Sequence, residues 1–327
     1  MKEEQQSPKR LTHLVLGGGG LSGLAYIGVL RFLYAENLVD GITHISGASI
    51  GAVFATLLAL RISLNEIETF FAEMFADLSI VQYPPQCLLN VIEKYGLDDG
   101  QKLLTYMIKA VKQYCDPDIT FVEFAKRFGR NLVISATNLE TMQAAYFSVN
   151  TTPNVKVLEA VRASMALPLL ITPVQINDAH YIDGGLADNL PVTPFLSEDS
   201  KHWLVIKIDR AGSNNQSSQA SKSNMTPGLP YSNIAEYIFH IMKIMSVHYI
   251  QKNEFLVPDP NKLNLQECPL PLVKFKCNEG GMILDVSSQE LEACATYGYQ
   301  AMYNHFAKYQ TYFFTSASSA VEVRSPS

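Results

Sequence analysis

Ser49 lies in Gly47-Ala48-Ser49-Ile50-Gly51, a GxSxG segment that follows the short apolar run Ile42 to Ser46 and opens into a second, Ala52 to Leu60. A serine between two glycines at a strand-to-helix bend has its hydroxyl lifted out of the sheet, as attack on an ester carbonyl requires. The glycines tolerate the strained backbone, and the small Ala52 lets the helix approach closely. A serine hydroxyl becomes a useful nucleophile only when a base takes its proton. Asp183, in Tyr181-Ile182-Asp183-Gly184-Gly185, ends a short apolar strand at a glycine turn. Residue types alone fit either a turn-forming Asp-Gly pair or a carboxylate base. A third element, Gly17 to Gly23 (GGGGLSG), stands between a strand and a helix. It leaves several unhindered backbone N–H groups at a helix N-terminus, which makes an anion cradle.

Two other chemistries use the same residues. Gly18, Gly20 and Gly23 satisfy the GxGxxG spacing of a dinucleotide site. That site requires an acidic residue at the end of the second strand, which here ends in Ser46, with Glu36 and Asp40 before it. The spacing therefore argues against a dinucleotide, and no cofactor is predicted. A Ser–Asp–His triad remains open, because His202, His240, His248 and His305 all follow Asp183 in the chain order such a triad uses. None of the four sits in a recognisable strand-end loop. His202 begins a strand, and His240 and His248 are two turns apart on one predicted helix.

The elements that must hold these groups alternate. Leu11 to Leu16 reads as a strand, followed by the glycine turn and a helix to about Glu36; Ile42 to Ser46 repeats the unit into the helix at Ala52. Ser63 with Glu66, and Thr120 with Glu123, are capping boxes that start helices, the second ending at Gly129. Asn131 to Thr137 and Gln143 to Ser148 read as strands around an Asn-Leu-Glu-Thr turn, and Val155 to Ser164 as a helix stopped before Pro168. Strands follow from Val174 to Ile182, at Trp203 to Ile208 and at Leu272 to Lys276, with a last helix capped by Ser287. Apolar strands alternating with helices predict an α/β class with a largely parallel central sheet covered by helices on both faces, a three-layer α/β/α domain.

With 327 residues, 47% hydrophobic and 17% charged, the chain can bury one large core. A net charge of −6 without long runs of like charge leaves no footprint for nucleic acid. Cys87, Cys115, Cys268, Cys277 and Cys294 are odd in number and lack a CxxC pair. They suggest neither a disulfide framework nor a zinc site, and no metal is predicted. The polar start, MKEEQQSPKR, shows no signal-peptide core. The uncharged stretches Leu11 to Leu30 and Gly41 to Leu60 are broken by glycines, so they read as strand, turn and helix rather than membrane spans. A cytoplasmic, at most peripheral, location is the expectation.

Residues 1–10 are expected to form a flexible N-terminus, 11–310 a single domain and 311–327 a tail. Within the domain, 11–209 carries the motifs. Residues 211–230, polar and Ser/Asn-rich, form a mobile loop expected to gate the site, and 233–310 form a mainly helical end. The stripe Ile234, Ile238, Ile241, Met245 and Tyr249 reads as a core-packing face, the alternative being a lipid-facing lid on a catalytically idle protein.

Taken together, the glycine loop, GASIG about thirty residues later and DGG far downstream resemble the signature elements of patatin-like phospholipases. The likeness extends to Ser135-Ala136-Thr137-Asn138-Leu139, to VRASMALP (Val161 to Pro168), to Pro173-Val174 and to DGGLADNLP (Asp183 to Pro191), covering about residues 11–209. The resemblance implies the patatin-like fold and lipid acyl-ester hydrolysis through a Ser–Asp dyad, with Ser49 as nucleophile and Asp183 as base. It further implies oxyanion-hole amides from Gly17, Gly18, Gly19 and Gly20, joined by Ile50. Gly23, Gly47, Gly51, Gly184 and Gly185 would support the motifs, and a lipid or phospholipid substrate would be met in transient contact with a membrane surface. The sequence departs from the family at Ser22, where Arg or Lys is common; no preference for anionic headgroups is implied.

Overall fold

The computed structural model describes residues 11–78, 87–198, 202–208, 262–264, 276–278, 281–283 and 288–308. The expectations for residues 1–10, 211–230, 233–252 and 311–327 fall outside these, as do His240 and His248. The first predicted unit is present: β1 (His13–Leu16), a short 3-10 turn at Gly20–Leu24, then α1 (Ala25–Ala35). The second follows as β2 (His44–Ala48) and α2 (Ile50–Ala59). Both uncharged stretches are thus strand and helix, and no helix among the described residues is long and apolar enough to cross a membrane.

The chain continues through α3 (Leu64–Leu78), α4 (Cys87–Lys94), β3 (Gly96–Asp98), α5 (Gln101–Val111) and α6 (Phe121–Phe128). The α6 start is fixed as predicted, with the Glu123 carboxylate accepting the Thr120 N–H at 2.9 Å, and Gly129 ends the helix at φ 64°. After these come β4 (Asn131–Asn138), β5 (Gln143–Phe147), α7 (Val157–Ser164), β6 (Leu169–Ile171), β7 (Val174–Ile176), β8 (Ala179–Asp183) and β9 (Trp203–Lys207). The remaining described elements are β10 (Lys262–Asn264), β11 (Lys276–Asn278), β12 (Gly281–Ile283) and α8 (Ser288–Lys308).

The main sheet runs β10-β9-β1-β2-β4-β8-β7, with β5 also paired to β4. Its β10-to-β4 half is parallel, but the β4–β5, β4–β8 and β8–β7 pairings are antiparallel, so β5 and β8 run against the other strands. A largely parallel sheet is therefore correct for one half only. The reason is local: β4–β5 and β7–β8 are joined by tight turns, and a tight hairpin can only make antiparallel neighbours. Asn177, at φ 53°, makes the second of these turns.

Alternation along the strands separates two cores. Leu14, Leu16, Ile45, Leu132, Ile134, Leu204 and Ile206 face a large core shared with α1, α2, α3, α5, α7 and α8. Val15, Val133, Trp203 and Val205 face the other side, where Leu190, Val192 and Phe195 cover them. Among the described residues, helices therefore cover one face, and an irregular segment covers the other.

α8 lies directly on α1 because glycines let their backbones meet. A Cβ at Gly28 would run into Ala295 O, and one at Gly298 into Ala25 O. Both obstacles are backbone, so neither can step aside. Gly28→Ala and Gly298→Ala are each expected to cost about 3 kcal/mol, measured by urea unfolding, although Ala would otherwise favour the helix.

Candidate active site

Strand β4 is the ruler that brings the two distant side chains together. Ala48, just before Ser49, is registered with Ser135, and the next β4 residue, Ala136, is registered with Asp183 on the other side. Neighbouring strands lie about 4.8 Å apart, so Ser49 and Asp183 reach the same edge of the sheet from opposite flanks of one strand.

Ser49 has φ 53° and ψ −128°, an unfavourable backbone for a residue with a Cβ, and it forms the N-cap of α2. Such a conformation costs about 1–3 kcal/mol and persists only where its surroundings over-determine it. Here the Ser49 N–H donates to Ser164 Oγ at 2.8 Å, and Ser164 Oγ donates onward to Ser135 O at 2.6 Å. One buried hydroxyl at the end of α7 thereby ties the bend to β4. The glycines are needed for backbone proximity: a Cβ on Gly47 would run into Gly51 O, and one on Gly51 would meet Gly17 O at 2.7 Å. Gly23 is required because Ile50 fills the space where its Cβ would stand, the Ile50 Cβ being 3.1 Å away.

Asp183 is 1% exposed. Its N–H donates to Ala166 O at 2.9 Å, and its Oδ1 accepts the Gly185 N–H at 2.7 Å. Thr137 Oγ1 donates to Asp183 O at 2.8 Å, and a Cβ on Gly184 would collide with Ser135 O. Burial pushes the carboxyl up to about 6, against the opposing pull of the Ser49 hydroxyl and the Gly185 N–H. The Ser49 hydroxyl is thus close enough to favour the charged carboxylate, but its aligned contact is Met165 Sδ at 3.9 Å. Asp183 Oδ2 is buried with no aligned hydrogen-bond donor. A turn of the serine hydroxyl from sulfur to this open oxygen would satisfy both groups.

The glycine loop lies beside them; a Cβ on Gly18 would stand 3.1 Å from the Ser49 Cβ. Its amides divide into two sets. Gly17 N–H donates to Ile206 O at 3.0 Å, and Gly18 N–H to Asn189 O at 3.1 Å. The expectation that Gly17 and Gly18 offer oxyanion donors is therefore corrected. The β1–β9 ladder continues one residue beyond β1 and takes the first amide, and the DGG segment takes the second. Gly19, Gly20 (φ 55°) and Ile50, first in α2, present N–H groups that no acceptor among the described residues meets.

Two residues with structural roles at the site were not singled out by sequence: Ser164, described above, and Asn189, whose Nδ2 donates to Gly18 O at 3.1 Å. Both lie in segments that resemble the family, but nothing in their spacing shows which hydroxyl or amide turns back onto the bend. The histidines do not join the site. His202 precedes β9 at the end of the sheet opposite Ser49. His305 on α8 is buried beside Phe306, which packs on Phe32, about two turns down α1 from the glycine loop. No imidazole among the described residues is hydrogen-bonded to Ser49 or Asp183.

A family model for patatin-like phospholipases matches residues 14–196, which include Ser49, Asp183, the glycine loop, Ser164 and Asn189. The chain belongs to the patatin-like phospholipase family. It is 30% identical over 243 residues to the uncharacterized protein R571 of Acanthamoeba polyphaga mimivirus, spanning 72% of this chain and 77% of that one. It is 25% identical to the probable lipid hydrolase 463L of Invertebrate iridescent virus 6 (57% of this chain, 63% of that one). It is 33% identical to the triacylglycerol lipase ptl3 of Schizosaccharomyces pombe, covering 78% of this chain but 48% of the lipase. Among solved structures, VipD from Legionella pneumophila shares the fold, with a TM-score of 0.52 at 17% identity over 94% of this chain and 72% of VipD.

Proposed function

We propose that this chain is a serine hydrolase that cleaves carboxylic esters of lipids, phospholipid or acylglycerol, through an acyl-enzyme on Ser49. The observation that carries the reading is a serine held at a strained strand-to-helix bend beside a fully buried carboxyl raised to about 6. Asp183, ionised at neutral pH yet more basic than an ordinary carboxylate, takes the Ser49 proton as Oγ bonds to the ester carbon. The N–H groups of Gly19, Gly20 and Ile50 receive the charge that develops on the carbonyl oxygen. The alcohol leaves with the proton from Asp183. Water then attacks the acyl-enzyme with Asp183 again as base, freeing the fatty acid and Ser49. No step calls on a metal or cofactor.

The relatives named as lipases and lipid hydrolases favour a lipid substrate, as does the surface near the site. Leu169, four residues beyond Met165, is exposed, and so are Leu89, Ile92 and Tyr95 along and just past α4. β3 and β6 pair in parallel and join these two parts. An apolar rim of this kind suits transient contact with a lipid surface.

Hydrolysis of nitrophenyl esters, phospholipid vesicles and triacylglycerol emulsions by the purified chain tests the reading and orders the substrates. Activity should vanish in Ser49→Ala and survive in His202→Ala and His305→Ala. For the wild type, kcat/KM should rise with pH through an apparent pKa of about 6 and then level off, because only the ionised Asp183 can accept the proton. Turnover retained by Ser49→Ala, or no hydrolysis of any of these esters by the wild type, would remove the proposal; the second result would leave a catalytically idle lipid-binding protein.

A further inference from the structure

At the other end of the same strands, three groups unused by the hydrolytic site converge. His13 opens β1 and His44 opens β2; they are register partners on adjacent parallel strands, and their rings stack at 4.4 Å and 11°. Glu198 reaches in from the segment before β9 and places Oε2 at 2.9 Å from His13 Nε2. The residue before each histidine holds its other ring nitrogen: Thr12 Oγ1 lies 2.8 Å from His13 Nδ1, and Thr43 Oγ1 lies 2.9 Å from His44 Nδ1. The nitrogen left to each ring is Nε2. Phe195 closes one side, edge-on to both rings.

We infer that His13, His44 and Glu198 form a binding site for a single zinc-like divalent transition-metal ion, distinct from the hydrolytic site. The ligand atoms of the three residues lie within 4.8 Å of one another. Tetrahedral zinc with bonds of about 2.0–2.1 Å needs donors about 3.3 Å apart. The His13–Glu198 pair, at 2.9 Å, needs to open by only about 0.4 Å to reach this spacing. His44 must close by about 1.5 Å at most, and it is only half-buried, so its ring has room to tilt out of the stack. The threonine oxygens supply the outer contacts that fix ring orientation around a metal. With an ion on Nε2, the His13 ring would keep its proton on Nδ1, where Thr12 Oγ1 lies 2.8 Å away to accept it, and water would complete the coordination.

Two imidazoles and one carboxylate favour zinc, cobalt or nickel over calcium or magnesium. A bound ion would tie β1, β2 and the segment before β9 together at the sheet edge opposite Ser49.

The test uses the full chain, stripped with a chelator and titrated with zinc chloride in a calorimeter, then with cobalt chloride under visible absorption. About one equivalent should bind, and zinc should raise the melting temperature by about 3 °C or more. Glu198→Gln, at the surface, and His44→Gln, which keeps a polar side chain of similar reach, should each weaken binding more than about tenfold. Ester hydrolysis by the wild type should be unchanged by the chelator. No zinc-dependent shift in the wild type at about 0.1 mM ion, or the same binding in both variants, overturns the site; neither result bears on Ser49 chemistry.

Discussion

Asp183→Asn is expected to lower ester turnover by about a thousandfold or more and, at the same time, to stabilise the folded protein at pH 7. Both effects come from the same burial. In the unfolded chain Asp183 titrates near 3.8, and in the fold near 6. Between those values the folded state binds the extra proton, so stability falls as pH rises from about 4 to 6 and stays low above it. A difference of about two pH units corresponds to about 3 kcal/mol, which the charged carboxylate costs the protein at neutral pH. Asn carries no charge there. It can still accept the Gly185 N–H, and its NH2 takes the place of Oδ2, with the Ser49 hydroxyl as acceptor.

Urea unfolding at pH 7 and pH 4 measures the stability effect. The variant should gain up to about 3 kcal/mol at pH 7 and have no advantage at pH 4. Ser49→Ala should be equally inactive but should keep the wild-type fall in stability between those pH values. If Asp183→Asn were no more stable than wild type at pH 7, the carboxyl would not be the desolvated base on which the mechanism depends.

How far the sequence reveals this site depends on how local each cause is. The β1–glycine loop–α1 and β2–bend–α2 units were legible because each is set within about twenty residues by apolar runs and small residues. The meeting of Ser49 with Asp183 was legible only through family resemblance, since it is produced by β4, whose Ser135 and Ala136 give no sign of which strands flank them. The direction of β8 was missed because a strand's apolar content is the same whichever way it runs. Direction is set by the Asn177 turn joining β7 to β8. Gly17 and Gly18 read as free donors because glycine spacing shows where amides are unhindered, not whether a neighbouring carbonyl has claimed them. The His13, His44 and Glu198 cluster left no sequence signal, because its members belong to three separate segments joined only by strand register.

Ser164 is where structure adds most to the reading of the proposed reaction, and Ser164→Ala is expected to lower kcat by about 10- to 100-fold with KM little changed. The hydroxyl does not touch the substrate; it is a positioning group. Without it the Ser49 N–H and Ser135 O lose their shared partner inside a sealed core, and the φ 53° bend loses the contact that holds it from the α7 side. The unsatisfied groups should cost about 1–3 kcal/mol of stability, so a general weakening must be separated from a displaced nucleophile. Ser46→Ala provides that separation. Ser46 is equally buried on the same strand β2, and its hydroxyl donates to Pro191 O at 2.7 Å, so its removal leaves one carbonyl unsatisfied but does not touch the bend. Assayed well below both melting temperatures, Ser46→Ala should lose stability and keep kcat, whereas Ser164→Ala should lose both. Equal losses of kcat in the two variants would mean that activity follows stability alone, and that the strained serine backbone is held without help from α7.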